Sequence, residues 1–270
     1  MPTFTGKKFS NFYKNLFGIN QTSNTGVDAT TRNLQDGAGN SSSISLSDDV
    51  LSVQPVNDDT TGTMLVKNNG GSNILAVDTV NSKVNIGAAQ IAANTQYAYF
   101  GIDSASTTAY VADTHYAIPF AGNQTVSSLH AMGSSTSSSF NDTNPATSFS
   151  MATDANYYIM QYWWTIDNIT IDQVHWWHAA DAATGDSTAA HLMAYTCQFL
   201  EGPSCGDLSA GVVIADGTTI TNAGYEQTSF QGLTIQNANV LASKVILFTF
   251  ASDTINSDYS ISATVKYHIT

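Results

Sequence analysis

Gln161-Tyr162-Trp163-Trp164-Thr165 and Val174-His175-Trp176-Trp177-His178 each set two tryptophans side by side in a stretch that reads as β-strand. Successive side chains of a strand point to opposite faces of its sheet. In each pair, one indole therefore faces the core and the other faces away from it. The outward members, drawn from Trp163, Trp164, Trp176 and Trp177, need cover from elsewhere. The preferred reading is a contact with another copy of the chain. The alternative is an aromatic platform for a sugar ring, because exposed aromatic surface marks binding sites.

Composition agrees with a self-associating β protein. Only 8 basic and 21 acidic side chains occur among 270 residues, so the polar surface comes from Ser, Thr, Asn and Gly. Such a chain favours strands and turns over helices, which draw on Lys, Glu and Arg. A net charge of −13 argues against nucleic-acid binding, which needs clustered cations. No apolar run is long enough to span a bilayer, so no membrane insertion is expected. Lys7 and Lys8 are not followed by the apolar core of a signal peptide, which points to synthesis in a cytosol and delivery by other means.

Three regions follow one another. Residues 1–43 read as an attachment arm. Within it Phe9, Phe12, Tyr13, Leu16 and Phe17 share the spacing of one helix face beside Lys7, Lys8 and Lys14, and Gly18 stands at the C-cap position. The short helix either packs on its own chain or anchors a larger assembly; lying on a membrane is the weaker third reading. Residues 21–43 are polar and Gly-rich, as expected of a linker or a segment extended over a partner. Residues 44–92 carry short apolar strands at 44–46, 50–53, 64–66, 74–77 and 84–86, separated by turn-rich segments. With so few apolar residues per strand this region cannot bury a core alone. Three intertwined copies complete one, so the expectation is a trimeric shaft.

Residues 93–270 have longer strands at 97–100, 115–120, 157–165, 169–179 and 191–199. Residues 245–250 form a continuous apolar run, the mark of a strand covered on both sides. Ile261, Ala263, Val265, Tyr267 and Ile269 alternate with polar residues as a half-buried strand. The fold class is therefore all-β, with a C-terminal β-sandwich of jelly-roll type. Residues 134–139 and 141–145 read as an exposed loop.

Chemistry finds little footing. His175 and His178 are three apart, on opposite faces of a strand, which disfavours a shared metal. The segment from Asp181 to Asp186 lacks the alternating oxygen ligands of a calcium loop. Neither a nucleophile elbow, a phosphate loop nor a zinc-protease helix is present. No cofactor and no catalytic residue are expected, although glycosidase carboxylates leave no short signature. Cys197 and Cys205 flank a Gly202-Pro203 turn, which fits either a disulfide or two free thiols.

The order of segments resembles fibre proteins of tailed bacteriophages, particularly those of marine and cyanobacterial phages. Three stretches carry the resemblance: Phe12 to Gly26 leading into Asp36-Gly37-Ala38-Gly39-Asn40, the strand-turn-strand unit from Ile74 to Gly87, and the β domain ending in Asp258 to Thr270. The resemblance implies a homotrimer in the virion, assembled in the host cytoplasm. It also implies an N-terminal segment bound to tail or capsid proteins, and a distal head that meets the host surface, including its polysaccharide. A capsid decoration protein without receptor binding is the alternative, and a carbohydrate-active β-sandwich enzyme the second.

Overall fold

The computed structural model describes residues 16–22, 26–87, 89, 91–105, 112–121, 130–134, 145–150, 159–181, 183–254 and 258–270. Among these the protein is all-β; Ile159–Gln161 forms a single 3-10 turn and no α-helix occurs. The chain divides into two compact units, Met1–Ala93 and Asn94–Thr270.

The first unit holds two antiparallel meanders. One orders β1 (Phe17–Ile19), β2 (Arg32–Asp36), β3 (Ser41–Leu46) and β4 (Leu51–Val53); the other orders β5 (Met64–Lys67), β6 (Asn73–Asp78), β7 (Lys83–Ile86) and β8 (Ile91–Ala92). Short polar side chains close the hairpins by mimicking backbone turns. The Asp36 carboxylate accepts from Asn40 Nδ2 at 2.8 Å and from the amides of Asn40 and Ala38, both at 2.9 Å, which lowers its pKa. Asp78 accepts from Asn81 Nδ2 at 2.8 Å and from its amide at 2.9 Å, and Asn68 caps Ser72.

This corrects the reading of the arm. Phe17 opens a strand, with Phe17 opposite Asp36 and Gly18 opposite Gln35, so no helix runs through Phe17 to a C-cap at Gly18. Cross-strand pairing satisfies the backbone that a helix would have satisfied internally. Leu16 lies in no regular element, and Lys7, Lys8, Phe9, Phe12 and Tyr13 lie outside the described residues. The polar segment after it is likewise not a linker throughout, because β2 and the start of β3 fall within it.

Register sorts each meander into two unlike faces. In β5–β8, Met64, Val77 and Val84 form one cross-strand row, and Val66, Leu75, Ile86 and Ile91 form the next. All seven side chains are apolar and none is buried. The opposite face holds Ala76, Asp78 and Asn85, which are buried, beside Leu65 and Ile74, which are exposed. A single chain thus leaves most of the apolar side chains of this sheet open. In β1–β4, Phe17, Ile19, Leu34, Ile44, Leu46, Leu51 and Val53 share one face with Arg32 and Asp36 at its margins, and Gly18, Asn33, Gln35, Ser45 and Ser52 share the other. Here too no member of the apolar face is buried; Phe17 is 69% and Leu51 67% exposed.

The second unit carries β9 (Thr95–Ala105), β10 (Thr114–Ile118), β11 (His130–Ser134), β12 (Trp163–Trp164), β13 (Ile169–Asp181), β14 (Ser187–Cys197), β15 (Leu208–Asp216), β16 (Ile220–Thr221), β17 (Glu226–Ile235), β18 (Asn239–Val240), β19 (Lys244–Ser252) and β20 (Asp258–Ile269). Eight of them form one curled antiparallel sheet in the order β10-β19-β14-β15-β17-β13-β20-β9. The pairing between β15 and β17 is brief, only Ala215 with Ile235 and Asp216 with Thr234. At the far margin, Phe100 bridges Phe120, and the Gly101 amide donates to the Pro119 carbonyl at 3.0 Å.

The concave side of the curl is the core. Phe100, Trp163, Trp176, Phe248, Phe250 and Tyr259 meet there with aliphatic side chains from every long strand. Strands β14 and β19 also bury their other face, where Met193, Tyr195, Leu208 and Leu247 pack together. Both therefore read as near-continuous apolar runs. Strands β13 and β20 have one open face and alternate instead.

Candidate functional site: an aromatic face of the second unit

The open face lies across β9, β20, β13 and β17. Ser262 sits opposite both Gly101 and Trp177, and Trp177 opposite Phe230. In the next row Thr264 sits opposite Tyr99 and His175, and His175 opposite Gly232. Aromatic side chains thus stand on both flanks, with short hydroxyl side chains between them. Tyr97, Tyr99, Trp177 and Phe230 are each just over half exposed.

One flank is a packed cluster. The Trp177 and Phe230 ring centroids are 4.6 Å apart, and His175 stacks on Phe230 at 5.4 Å with an interplanar angle of 6°. A methyl group at Gly232 would come within 3.2 Å of the His175 ring, so the glycine is what lets the imidazole lie flat against the sheet. A groove of about 570 Å³ runs along this face over Ser260 and Ser262, bounded by Tyr99, Ala121, Trp177 and Thr228. Toward one end, Asp181 stands directly opposite both Glu226 and Asp258. Like charges in that arrangement repel.

The tryptophans divide as alternation requires. Trp163 (7% exposed) and Trp176 (0%) belong to the core, and Trp164 (51%) and Trp177 (53%) are open. Trp176 donates its indole N–H to Gln231 Oε1 at 3.2 Å, and Trp163 stacks on Phe120 at 6.0 Å, within 2° of parallel. Trp164 has different surroundings from Trp177: it contacts Phe199 at 5.5 Å and lines a separate hollow of about 270 Å³ with Gln96, Ile166, Asp167 and Tyr267. A hydrogen bond from Thr165 Oγ1 to the Leu241 carbonyl ties this segment to the loop after β18.

Several other titratable groups are buried within the second unit. His178 Nε2 faces Asn222 Oδ1 at 3.2 Å, and burial lowers its pKa against the opposing effect of that contact. His191 lies edge-on to His115 at 4.9 Å, and burial pushes its pKa down to about 4, with Asp216 opposing. Cys197 and Cys205 are unbridged; burial raises the Cys197 pKa, with Cys205 and Asp207 adding to it. No group of three or more His, Cys, Asp or Glu in a metal-binding arrangement occurs among the described residues.

Sequence reading missed β15 and β17 and therefore Phe230. Strand β17 alternates, but its inward side chains include Gln227, Ser229 and Gln231, so apolar periodicity does not reveal it. Phe230 two residues before a glycine was the available signal. No protein-family model matches the chain, and no curated protein matches it.

Proposed function

We propose that this protein is a structural, homotrimeric virion fibre of a tailed bacteriophage, with residues 94–270 as its head. The two bare apolar sheet faces of the first unit carry this reading. Phe17, Ile44 and Leu51 on one face, and Met64, Val66, Val84, Ile86 and Ile91 on the other, are exposed, and contiguous exposed apolar surface marks interaction sites. A sheet must bury its apolar face against a second layer, and copies of the same chain supply that layer when three sheets close around an axis.

A jelly-roll head is supported by the order of pairing. The eight strands nest, first with last (β9 with β20), second with seventh (β10 with β19), third with sixth (β13 with β17) and fourth with fifth (β14 with β15). A long antiparallel ribbon folded over itself has this nesting, and jelly rolls are built that way.

In this role the fibre assembles in the host cytoplasm, joins tail or capsid proteins through residues before β1, and turns its head to the host surface. Light scattering on the full chain tests the assembly. Three times the chain mass is expected, and a monomer overturns the proposal. Substitutions at Lys7, Lys8, Phe9, Phe12 and Tyr13 should leave that mass unchanged while preventing incorporation into particles. Phe17 falls instead within the self-association face of β1–β4.

A further inference from the structure

The two exposed tryptophans sit in chemically different surroundings, and the difference assigns them different tasks. Trp164 contacts Phe199 and borders a smaller hollow whose lining includes the charged Asp167 beside Gln96 and Thr165. Trp177 borders a groove whose floor is Ser260 and Ser262, whose margins include Thr228, and whose far side is Tyr99. Aromatic walls over a hydroxyl floor match a molecule with apolar ring faces and a hydroxyl-bearing rim.

The dimensions agree. Trp177 and Gly101 are separated by one intervening strand, which places their backbones about 10 Å apart. Gly101 contributes no side chain, so the space above Ser262 stays open between the two flanks. The Trp177 indole is pinned at 4.6 Å by Phe230, itself stacked on His175. A flat surface held in this way costs little ordering entropy when a ligand lies on it.

Charge narrows the ligand further. The groove lining holds no acidic or basic residue besides the buried, depressed-pKa His178. One end of the face carries the row of Asp181, Glu226 and Asp258, and the whole chain carries −13. An anionic ligand would be repelled.

We infer that the groove between Trp177 and Tyr99 binds a neutral hexose-based saccharide, one sugar ring lying on the Trp177 indole with its hydroxyls toward Ser260 and Ser262. This rests on the head being exposed in the assembled fibre. The test titrates the full-length oligomer with neutral glucan, galactan and mannan oligosaccharides, and with acidic polygalacturonate, reading tryptophan fluorescence and affinity electrophoresis. At least one neutral saccharide is expected to bind saturably and the acidic polymer to fail. Trp177→Ala and Tyr99→Ala should each weaken binding roughly tenfold or more, with Trp164→Ala binding as the parent does. The inference is overturned if no neutral saccharide binds, if binding survives Trp177→Ala, or if Trp177→Ala lowers the oligomeric mass. Light scattering on the same samples separates the two proposals: a trimer that binds no saccharide sinks only this one, and a monomer that binds saccharide sinks only the fibre.

Discussion

Tyr259 and Asp186 meet in the interior of the second unit, where the tyrosine hydroxyl donates to the carboxylate Oδ2 at 3.0 Å and both residues are buried. Ser252 Oγ approaches the same hydroxyl at 3.3 Å. The contact ties β20 to the turn that precedes β14, two segments far apart in the chain.

Removing that hydroxyl leaves a buried carboxylate one donor short. Tyr259→Phe should therefore destabilise the head by about 2 kcal/mol, lowering Tm by roughly 4–8 °C. Scanning calorimetry of the variant measures it. An unchanged Tm would mean that the hydroxyl adds nothing.

Gly211 permits a close approach. A Cβ there would lie 2.5 Å from Tyr195 Cε1 and 3.0 Å from the Thr147 Cα. The Tyr195 ring cannot retreat, because it is fully buried and its hydroxyl donates to the Ala146 carbonyl at 2.9 Å. Gly211→Ala should cost about 2 kcal/mol or more, read as a lower urea midpoint. Gly18→Ala, with open space around the position, serves as the comparison.

Acid should loosen the head. The His191 pKa is held near 4 by burial, below its value of about 6.5 in an unfolded chain. The unfolded state thus binds more protons between these values. Stability is complete above pH 6.5 and declines as pH falls toward 4, by about 3 kcal/mol from this group. His178 shifts in the same direction. His191→Phe keeps a ring beside His115 and cannot take a proton, so its Tm should vary less between pH 7 and 4.5 than that of the parent.

Charge placed on an apolar sheet face should undo self-association. Val66→Asp combined with Ile86→Asp puts two carboxylates in one cross-strand row, either side of Leu75. The mass measured by light scattering should fall to that of one chain. Ser45→Asp, on the polar face of β1–β4, should leave the mass unaltered.

Strands were legible wherever the chain's apolar residues report on burial directly. The run from Val245 to Phe250 announced β19 because both of its faces are covered, and Ile261, Ala263 and Val265 announced β20 because one is. Adjacent tryptophans revealed that each pair straddles a sheet, since alternation is a local rule. The sequence was misleading at Phe17, where five apolar residues at helical spacing ended inside a strand; partners 15 to 19 residues downstream decided the outcome. The groove beside Trp177 was illegible for a related reason. Its walls come from β9, β13 and β17, and only the pairing of strands distant in sequence brings Tyr99 and Phe230 to the same face as the indole.

The nesting of β9 against β20 sets a timetable for biosynthesis. Strand β9 leaves the ribosome early, yet the strand that covers its length begins at Asp258, about 150 residues later. At about 5–20 residues per second the nascent head waits on the order of ten to thirty seconds with the hydrogen-bonding edge that β20 will pair left open. Over the same interval the bare sheets of the first unit are already available to neighbouring chains on the same message. In the proposed fibre, association would therefore begin before any head has closed, and chaperone demand should peak in that window.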